Sequence, residues 1–322
     1  MLIEALEAIL FPGFLFTVGL GFLFEWLERK VAAHMQGRVG PLVAGPHGVL
    51  QPVADFLKLL YKEEIIPSFA DVTIYRIAPS LYFLAPILGM LFIPVASTSA
   101  VATFDMDLLL VIFLLAYSAF VVVMLSFASA SGFTTVASGR LVLQYVSYEI
   151  PLVIAVVTAG VFSRSLSVAG IVGAQSGAWN VAYMPFSFIV FIVALMAELE
   201  KPPFDIPSAK TEIVAGWLTE FSGRGLAFLK LTKEVSLVFG AGLAVSLFLG
   251  GPLGPVPEDP MLALAAHTAY FLVKLVAVVL LIFVLRSAMA RLRIAQAAEF
   301  FWKILTPIAI AQFAVVLILG GM

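Results

Sequence analysis

The chain has 322 residues, of which 62% are hydrophobic and 12% are charged, and its mean hydropathy of +1.10 lies outside the range of soluble globular proteins. A formal net charge of −2 and the lack of a large basic region argue against disorder and nucleic-acid binding. Without cysteine, the chain cannot form a disulfide or a cysteine-ligated iron–sulfur or zinc site, and its three histidines are too scattered for a metal site. We therefore predict an integral membrane protein with no cofactor of its own, so that any redox chemistry takes place in a partner.

Apolar segments of the length that crosses a bilayer, roughly 20 residues, dominate the sequence. No Lys or Arg precedes the first of them, which is not typical of a cleaved secretory signal. No internal repeat is visible, which argues against a transporter built from inverted repeats. The predicted fold is an all-α integral membrane protein, with residues 1–322 forming a single polytopic membrane domain. Its eight predicted spans are 5–27, 76–98, 108–130, 141–162, 181–199, 235–251, 264–287 and 301–320.

Lysine and arginine are distributed very unevenly among the predicted loops. Sixteen of the 18 lie in or beside the odd-numbered loops, whereas the even-numbered loops contain only Arg164, and Lys274 lies inside a span. Since cytoplasmic loops are enriched in basic residues, the odd-numbered loops are predicted to be cytoplasmic and both termini to face outward from the plasma membrane. These cytoplasmic loops cover about residues 28–75, 131–140, 200–234 and 288–300.

Two of these loops are long enough to contain structure of their own. In the first, an amphipathic pattern near Leu50 to Leu60 predicts a short helix in the membrane interface. The central loop concentrates charged residues between Ala197 and Arg224, and prolines within 202–207 interrupt any helix there. Beyond them, Ser208 is predicted to cap a new helix that stops at Gly223. Its predicted apolar face consists of Ile213, Trp217 and Phe221.

Ionisable groups inside the predicted spans are candidates for function, because burying a charge there costs at least ~2.5–3.5 kcal/mol. Glu149 lies within the fourth span, Glu198 at the end of the fifth and Lys274 within the seventh. A structural hydrogen bond would also explain Glu149, and snorkelling or an ion pair would explain Lys274. The functional interpretation is a proton path, since a carboxyl group in a low-dielectric site holds a proton near neutral pH. The predicted path contains Glu149, Glu198, Glu212, Glu220 and Lys274.

Three of the predicted cytoplasmic loops contain residues of the sequence pattern of a single protein family. The central loop keeps Ala197-Glu198, Pro203-Phe204-Asp205, Pro207, Ala209, Glu212, Val214-Ala215-Gly216, Thr219-Glu220 and Ser222-Gly223. The first loop keeps Arg38, Gly40-Pro41, Gly45-Pro46, Gly48, Leu50-Gln51, Ala54-Asp55 and Lys58-Leu59. The last loop keeps Arg291, Arg293, Gln296, Trp302 and Lys303, and Glu149 falls in a Ser-Tyr-Glu motif. On these residues the chain resembles the membrane subunit of respiratory complex I that contacts the peripheral arm, known in bacteria as the H subunit.

This resemblance implies a role as the membrane-anchoring and coupling subunit of a redox-driven ion pump. The loops would dock hydrophilic iron–sulfur and [NiFe]-hydrogenase-like subunits, which carry the cofactors, and would enclose the chamber of the electron acceptor. Antiporter-like subunits and the lipid bilayer are the implied partners in the membrane, and the glutamates are implied in the route that couples redox chemistry to ion pumping. The implied docking or chamber residues are Glu28, Arg29, Arg38, Asp55, Lys58, Asp205, Arg291 and Arg293.

The chain also departs from the family pattern in the central and last loops. Glu200 and Lys201 replace Asn-Arg, Ser208 and Lys210 replace two of three clustered glutamates, and Ala295 replaces Asp. The resemblance then favours the ferredoxin-linked branch, namely membrane-bound hydrogenase-like complexes and their sulfur-reducing relatives. A quinone-reducing complex I subunit that forms the quinone chamber is the alternative. A free-standing transporter does not explain the docking loops, and a purely structural anchor does not explain Glu149.

Overall fold

The computed structural model describes residues 2–320. These residues form helices joined by loops and contain no strand. The longer helices, which form the bundle, are α2 (Phe14–Met35), α4 (Val72–Met90), α5 (Asp107–Ala128), α6 (Gly132–Phe162), α9 (Pro185–Glu198), α11 (Gly223–Phe248), α12 (Pro260–Ala288) and α14 (Thr306–Gly320). The shorter helices are α1 (Leu2–Ile9), α3 (Gln51–Tyr61), α7 (Val168–Ala174), α8 (Asn180–Tyr183), α10 (Lys210–Ile213) and α13 (Ile294–Phe300).

The prediction of an all-α membrane protein is confirmed, but the fifth predicted span is too short and several others have different bounds. Within residues 2–320, seven segments are long and apolar enough to cross a bilayer. The fifth predicted span is instead the 14-residue α9, which at 1.5 Å per residue reaches only about 21 Å. Pro185 begins this helix, and the preceding chain folds back as the short helices α7 and α8. One π-helical turn, Phe301–Leu305, joins α13 to α14, so that the last span starts at Ile294.

The helix α11 lies at the centre of the bundle. Its most apolar window is 94% buried, the highest value among the seven spans, and it packs against α2, α3, α4 and α12. A helix that is apolar on all sides is typical of such a central position. The predicted sixth span, 235–251, is therefore mostly the second half of a longer helix, which starts at Gly223 at the end of the bundle where the odd-numbered loops lie and ends at Phe248.

The predicted amphipathic helix of the first loop is confirmed as α3, which packs against α2 and α11. The predicted helix of the central loop is wrong. Ser208 caps no helix, α10 ends after four residues, and the backbone of Val214 and Gly216 adopts positive φ angles of 59° and 60°, which a right-handed helix excludes. Gly223 begins α11 rather than stopping a helix.

The three apolar residues of that wrongly predicted helix are nevertheless buried together. Ile213, Trp217 and Phe221 belong to one cluster, and the ring of Phe221 stacks on that of Tyr75 at 4.4 Å. Tertiary packing against α4 and α6 thus determines the path of the central loop, and its apolar residues enter the core from irregular backbone.

Candidate functional site

An open cavity of about 740 Å³ lies where the first loop, the central loop and the ends of α2, α11 and α12 meet. We call it the charged chamber, because charged side chains of both signs line it in equal number. The acidic ones are Glu25, Glu28, Glu200, Asp205 and Glu234, and the basic ones are Arg29, Arg38, Lys201, Lys233 and Arg286. Such a mixture of partly buried charges contrasts with the apolar side chains that form most of the bundle.

A buried ion network forms one wall of the charged chamber. The Lys201 Nζ lies 2.7 Å from Glu28 Oε2 and 3.1 Å from Glu234 Oε1, and Arg286 also pairs with Glu28. Lys201 is only 7% exposed, and Glu28 and Glu234 are also buried. Because isolated charges are strongly disfavoured away from water, each of these groups depends on the others. The network ties α2, the central loop, α11 and α12 together at this end.

The carboxyl groups of Glu149 and Glu198 come close to one another inside the bundle. Both line one small cavity between α5, α6 and α9, together with Tyr148. The hydroxyl of Tyr148 donates a hydrogen bond to Glu198, and the ring of Tyr145 packs edge-on against that of Tyr148 at 5.9 Å. The structure thus brings together two of the residues of the predicted proton path at one small cavity, where both side chains are half-buried.

The other carboxylates of the predicted path have different surroundings. Glu212 is exposed and pairs with Arg140, whose hydrogen bond and charge hold the pKa of Glu212 below its usual range. Glu220 is half-buried, and its backbone carbonyl accepts a hydrogen bond of 2.8 Å from Tyr75. Neither side chain belongs to the lining of the charged chamber. The raised pKa expected of a carboxyl group in a low-dielectric path does not apply to Glu212.

Lys274 lies towards the opposite end of the bundle from the charged chamber. Its ammonium donates hydrogen bonds of 2.9 Å to the carbonyls of both Gly251 and Leu253, just beyond the end of α11. It also faces the ring of Trp179 at 4.8 Å, a cation–π contact. These contacts explain how a lysine is accommodated here. None of them involves a carboxylate of the predicted path.

An ion pair ties the first loop to α2, and a hydrogen bond within α3 orients its carboxylate. Arg29 lies 2.7 Å from Asp55, which also accepts a hydrogen bond of 2.8 Å from Gln51. Partial burial alone would raise the pKa of Asp55, but these hydrogen bonds and the Arg29 charge outweigh it and lower that pKa. Lys58 is exposed and, with Asp55, lines a second cavity of about 210 Å³ between α2, α3 and α11.

The last loop is fastened to the central loop at the same end. Arg291 forms an ion pair of 3.1 Å with the carboxylate of Asp205 and donates a hydrogen bond of 2.6 Å to its backbone carbonyl. The amide of Leu292 donates to the carbonyl of Pro203 at 3.1 Å. Arg293 is exposed at the start of α13, and Arg38 is exposed at the edge of the charged chamber. The eight predicted docking residues therefore lie at one end of the bundle, some paired and some on its surface.

Sequence reasoning did not assign a site role to several charged residues of the chamber. Glu25, Lys233, Glu234 and Arg286 lie at or just outside the ends of the predicted spans, although the helices α2 and α11 continue well past those ends. Glu200 and Lys201 differ from the family pattern, and that difference alone predicts no role for either. A prediction that extended each helix beyond its apolar segment could have found these residues. Charged residues on such extensions then face one another across the bundle.

A helical bundle that carries a charged chamber and three interlocked loops at one end defines a polytopic membrane subunit with a polar site open to that side. The chain matches the family described as NADH dehydrogenase over residues 7–317. It is also 37% identical over 306 residues to the H 2 subunit of the NADH-quinone oxidoreductase of Rhizobium etli, an alignment that covers 92% of this chain and 88% of that relative. The chain belongs to the family of complex I H subunits.

Proposed function

We propose that this chain is the membrane-anchoring and coupling subunit of a redox-driven ion pump. The observation that carries the proposal is the charged chamber at one end of the bundle, together with Glu198 and Glu149, which share a small cavity between the helices. Electron transfer belongs to hydrophilic partner subunits with iron–sulfur clusters, since a chain without cysteine supplies no thiolate ligands. A change of charge in the chamber then drives proton movement through these two carboxyl groups.

The loop-bearing end is the proposed docking surface for those partners, and it faces the cytoplasm. Two ion pairs, Arg29 with Asp55 and Arg291 with Asp205, fasten its three loops to one another or to the helices. A hydrogen bond from the amide of Ile65 to the hydroxyl of Ser222 does the same. This fastening gives a partner a preformed surface. Antiporter-like subunits contact the apolar sides of the bundle in the membrane and receive the coupling.

Two electron acceptors are proposed, each on a specific observation. The ferredoxin-linked, hydrogenase-like or sulfur-reducing branch is favoured by Ser208, Lys210 and Ala295, which replace acidic residues of the family pattern. Quinone reduction in the chamber is favoured by the relative named NADH-quinone oxidoreductase and by the chamber volume of about 740 Å³, within the usual range for small-molecule sites.

The coupling role is tested by proton uptake in membrane vesicles that contain the complete complex. Glu149→Gln removes the titratable group and keeps the shape, so we expect proton uptake to fall by at least about tenfold. Glu299→Gln, a substitution of an exposed residue on α13, serves as the control and keeps wild-type uptake. Wild-type uptake by Glu149→Gln vesicles would leave only an anchoring role.

The partners and the acceptor are tested by purification through a tag on this chain in mild detergent. We expect iron–sulfur proteins and antiporter-like subunits in the preparation. Nickel in its metal analysis identifies the hydrogenase branch, and iron without nickel leaves sulfur and quinone reduction. Labelling of the first loop by a photoreactive quinone then identifies quinone as the acceptor, whereas recovery of this chain alone and without iron contradicts the pump.

A further inference from the structure

Glu200 lies where the charged chamber meets the interior of the bundle. Its Oε1 accepts a hydrogen bond of 2.9 Å from the indole nitrogen of Trp217, and its Oε2 lies 2.8 Å from Lys233 Nζ. The side chain is only 6% exposed, yet Glu200 is part of the chamber lining. Its φ of 49° is in the left-handed region, which is disfavoured for a glutamate and favours Gly or Asn. The backbone thus adopts a disfavoured conformation at the residue that turns this carboxylate towards the chamber.

Two small cavities lead from Glu200 into the bundle. The first, of about 10 Å³, is shared by Glu200 and Glu198, and the second, also of about 10 Å³, is shared by Glu198 and Glu149. Each is close to the roughly 10–15 Å³ that one water molecule requires. Tyr148 lines both cavities and donates a hydrogen bond to Glu198 between them. The three carboxyl groups therefore follow one another, with space for about one water at each step.

A buried amide beside the first of these cavities leaves one hydrogen-bond acceptor without a donor. The Nε2 of Gln144 donates hydrogen bonds of 2.8 Å to the carbonyl of Ala197 and 2.9 Å to that of Phe204, which determines the orientation of the amide. Its Oε1 is buried and accepts no hydrogen bond from any residue that the structure describes. A buried acceptor without a donor is costly, and the cavity between Glu198 and Glu200 has space for a water molecule that would supply that donor.

We propose that Glu200 is the chamber-side carboxyl group of a proton-transfer chain that runs through water to Glu198 and through a second water to Glu149. This inference rests on the proposed coupling function and adds the residue that connects the chamber to Glu198 and Glu149. One proton moves per step and no covalent bond of the framework changes. Glu149 accepts the proton that Glu198 releases, Glu198 is reprotonated from Glu200, and Glu200 is reprotonated by water of the chamber. The Lys233 and Trp217 contacts hold the Glu200 carboxylate in position between these steps.

The test uses vesicles with the complete complex, energised by the electron donor that drives proton uptake by the wild type. Glu200→Gln retains the acceptor for Trp217 and removes the proton carrier, so we expect the initial rate of proton uptake to fall by at least about tenfold. Glu200→Asp retains a carboxyl group and should recover most of the uptake, which a merely structural role does not predict. Glu200→Asn is a second variant without a carboxyl group, and its backbone tolerates the left-handed conformation, so that assembly is preserved.

The set of variants separates this inference from the proposed function. If Glu198→Gln and Glu149→Gln abolish uptake while Glu200→Gln and Glu200→Asn retain wild-type uptake, the role of Glu200 is contradicted and the coupling function stands. If Glu198→Gln and Glu149→Gln also retain wild-type uptake, the coupling function itself fails. Equal loss in Glu200→Gln and Glu200→Asp, with the complex intact by gel filtration, would indicate a packing role and overturn the inference.

Discussion

At the scale of single residues, Lys201 shows how strongly the charged chamber depends on pairing. It contacts two buried carboxylates from two different helices, and the second oxygen of one of them, Glu234 Oε2, has no hydrogen-bond partner among the described residues. If the lysine is removed, Glu28 still pairs with Arg286. Glu234, in contrast, forms no ion pair with any other cation among the described residues. The lysine therefore controls whether Glu234 is a neutralised charge or an isolated one.

We expect Lys201→Met to destabilise the fold by about 3–5 kcal/mol, since it leaves the Glu234 charge buried without a partner. The double variant Lys201→Met/Glu234→Met should regain much of that loss, because the isolated charge is removed as well. Lys303→Met is the matched control: its pair with Glu299 is exposed on both sides, so a change below about 0.5 kcal/mol is expected. Denaturant unfolding in detergent measures all three, and equal effects of Lys201→Met and Lys303→Met would contradict the network.

A second prediction at this scale concerns Asp55 and acid. Because its folded pKa lies below the ordinary value of 3.8, its stabilisation is fully present above 3.8 and is lost as the pH falls through the lower, folded value. The pair with Arg29 is substantially exposed, so its contribution is limited to about 1 kcal/mol or less. Hydrogen exchange of α3, corrected for intrinsic rates, should therefore change little from neutral pH to 3.8 and rise below it. Asp55→Asn should show no such rise, and an identical rise in both proteins would exclude the ion pair as the cause.

At the scale of elements, the boundary between the central loop and α11 illustrates a close approach of two backbones. Gly223 has a φ of 53°, and a Cβ added there would lie 2.8 Å from the carbonyl oxygen of Glu63 in the first loop. The same two segments are joined by the hydrogen bond from Ile65 to Ser222. A glycine at the first position of α11 is thus what lets the first loop lie against the central loop.

We expect Gly223→Ala to destabilise the fold by about 1–3 kcal/mol, since the new side chain meets both a disfavoured φ and a backbone oxygen that cannot move away alone. Gly139→Ala on α6 is the matched control, because no atom lies within 4 Å of its added Cβ. That substitution should stabilise the helix by roughly 0.5–1 kcal/mol. Thermal unfolding of the two variants in the same detergent checks the opposite signs, and stabilisation by both would disprove the close approach.

At the scale of the whole molecule, the main consequence is an asymmetry between the two ends of the bundle. One end carries the charged chamber and the three interlocked loops, and the other carries the folded-back helices α7 and α8 with Lys274. The proposed orientation, with the chamber facing the cytoplasm, depends on the unequal distribution of basic residues.

This orientation is testable by cysteine labelling, because the chain contains no cysteine to interfere. Ser68→Cys and Ala290→Cys place single thiols on exposed positions at the chamber end, and Ser176→Cys places one at the other end. In inverted vesicles stripped of peripheral subunits, a membrane-impermeant maleimide should label the first two and not the third. Right-side-out vesicles should show the reverse, and Ala155→Cys, at a buried position, should remain unlabelled in both. Labelling of Ser176→Cys in inverted vesicles would reverse the topology.

The sequence by itself determined the all-helical membrane class, the position of most spans and of α3, and the family, because apolar run length and loop motifs are local properties that a single chain displays directly. It also marked Glu149 and Glu198, since charge inside an apolar run stands out. Only the tertiary structure decided which charges meet: Lys201 pairs with Glu28, which is 173 positions away in the chain. It also ended the predicted central-loop helix at Val214 and placed Glu200 at the chamber wall. Periodicity carries no information about such distant contacts, and they determine where a loop lies and which buried charges neutralise each other.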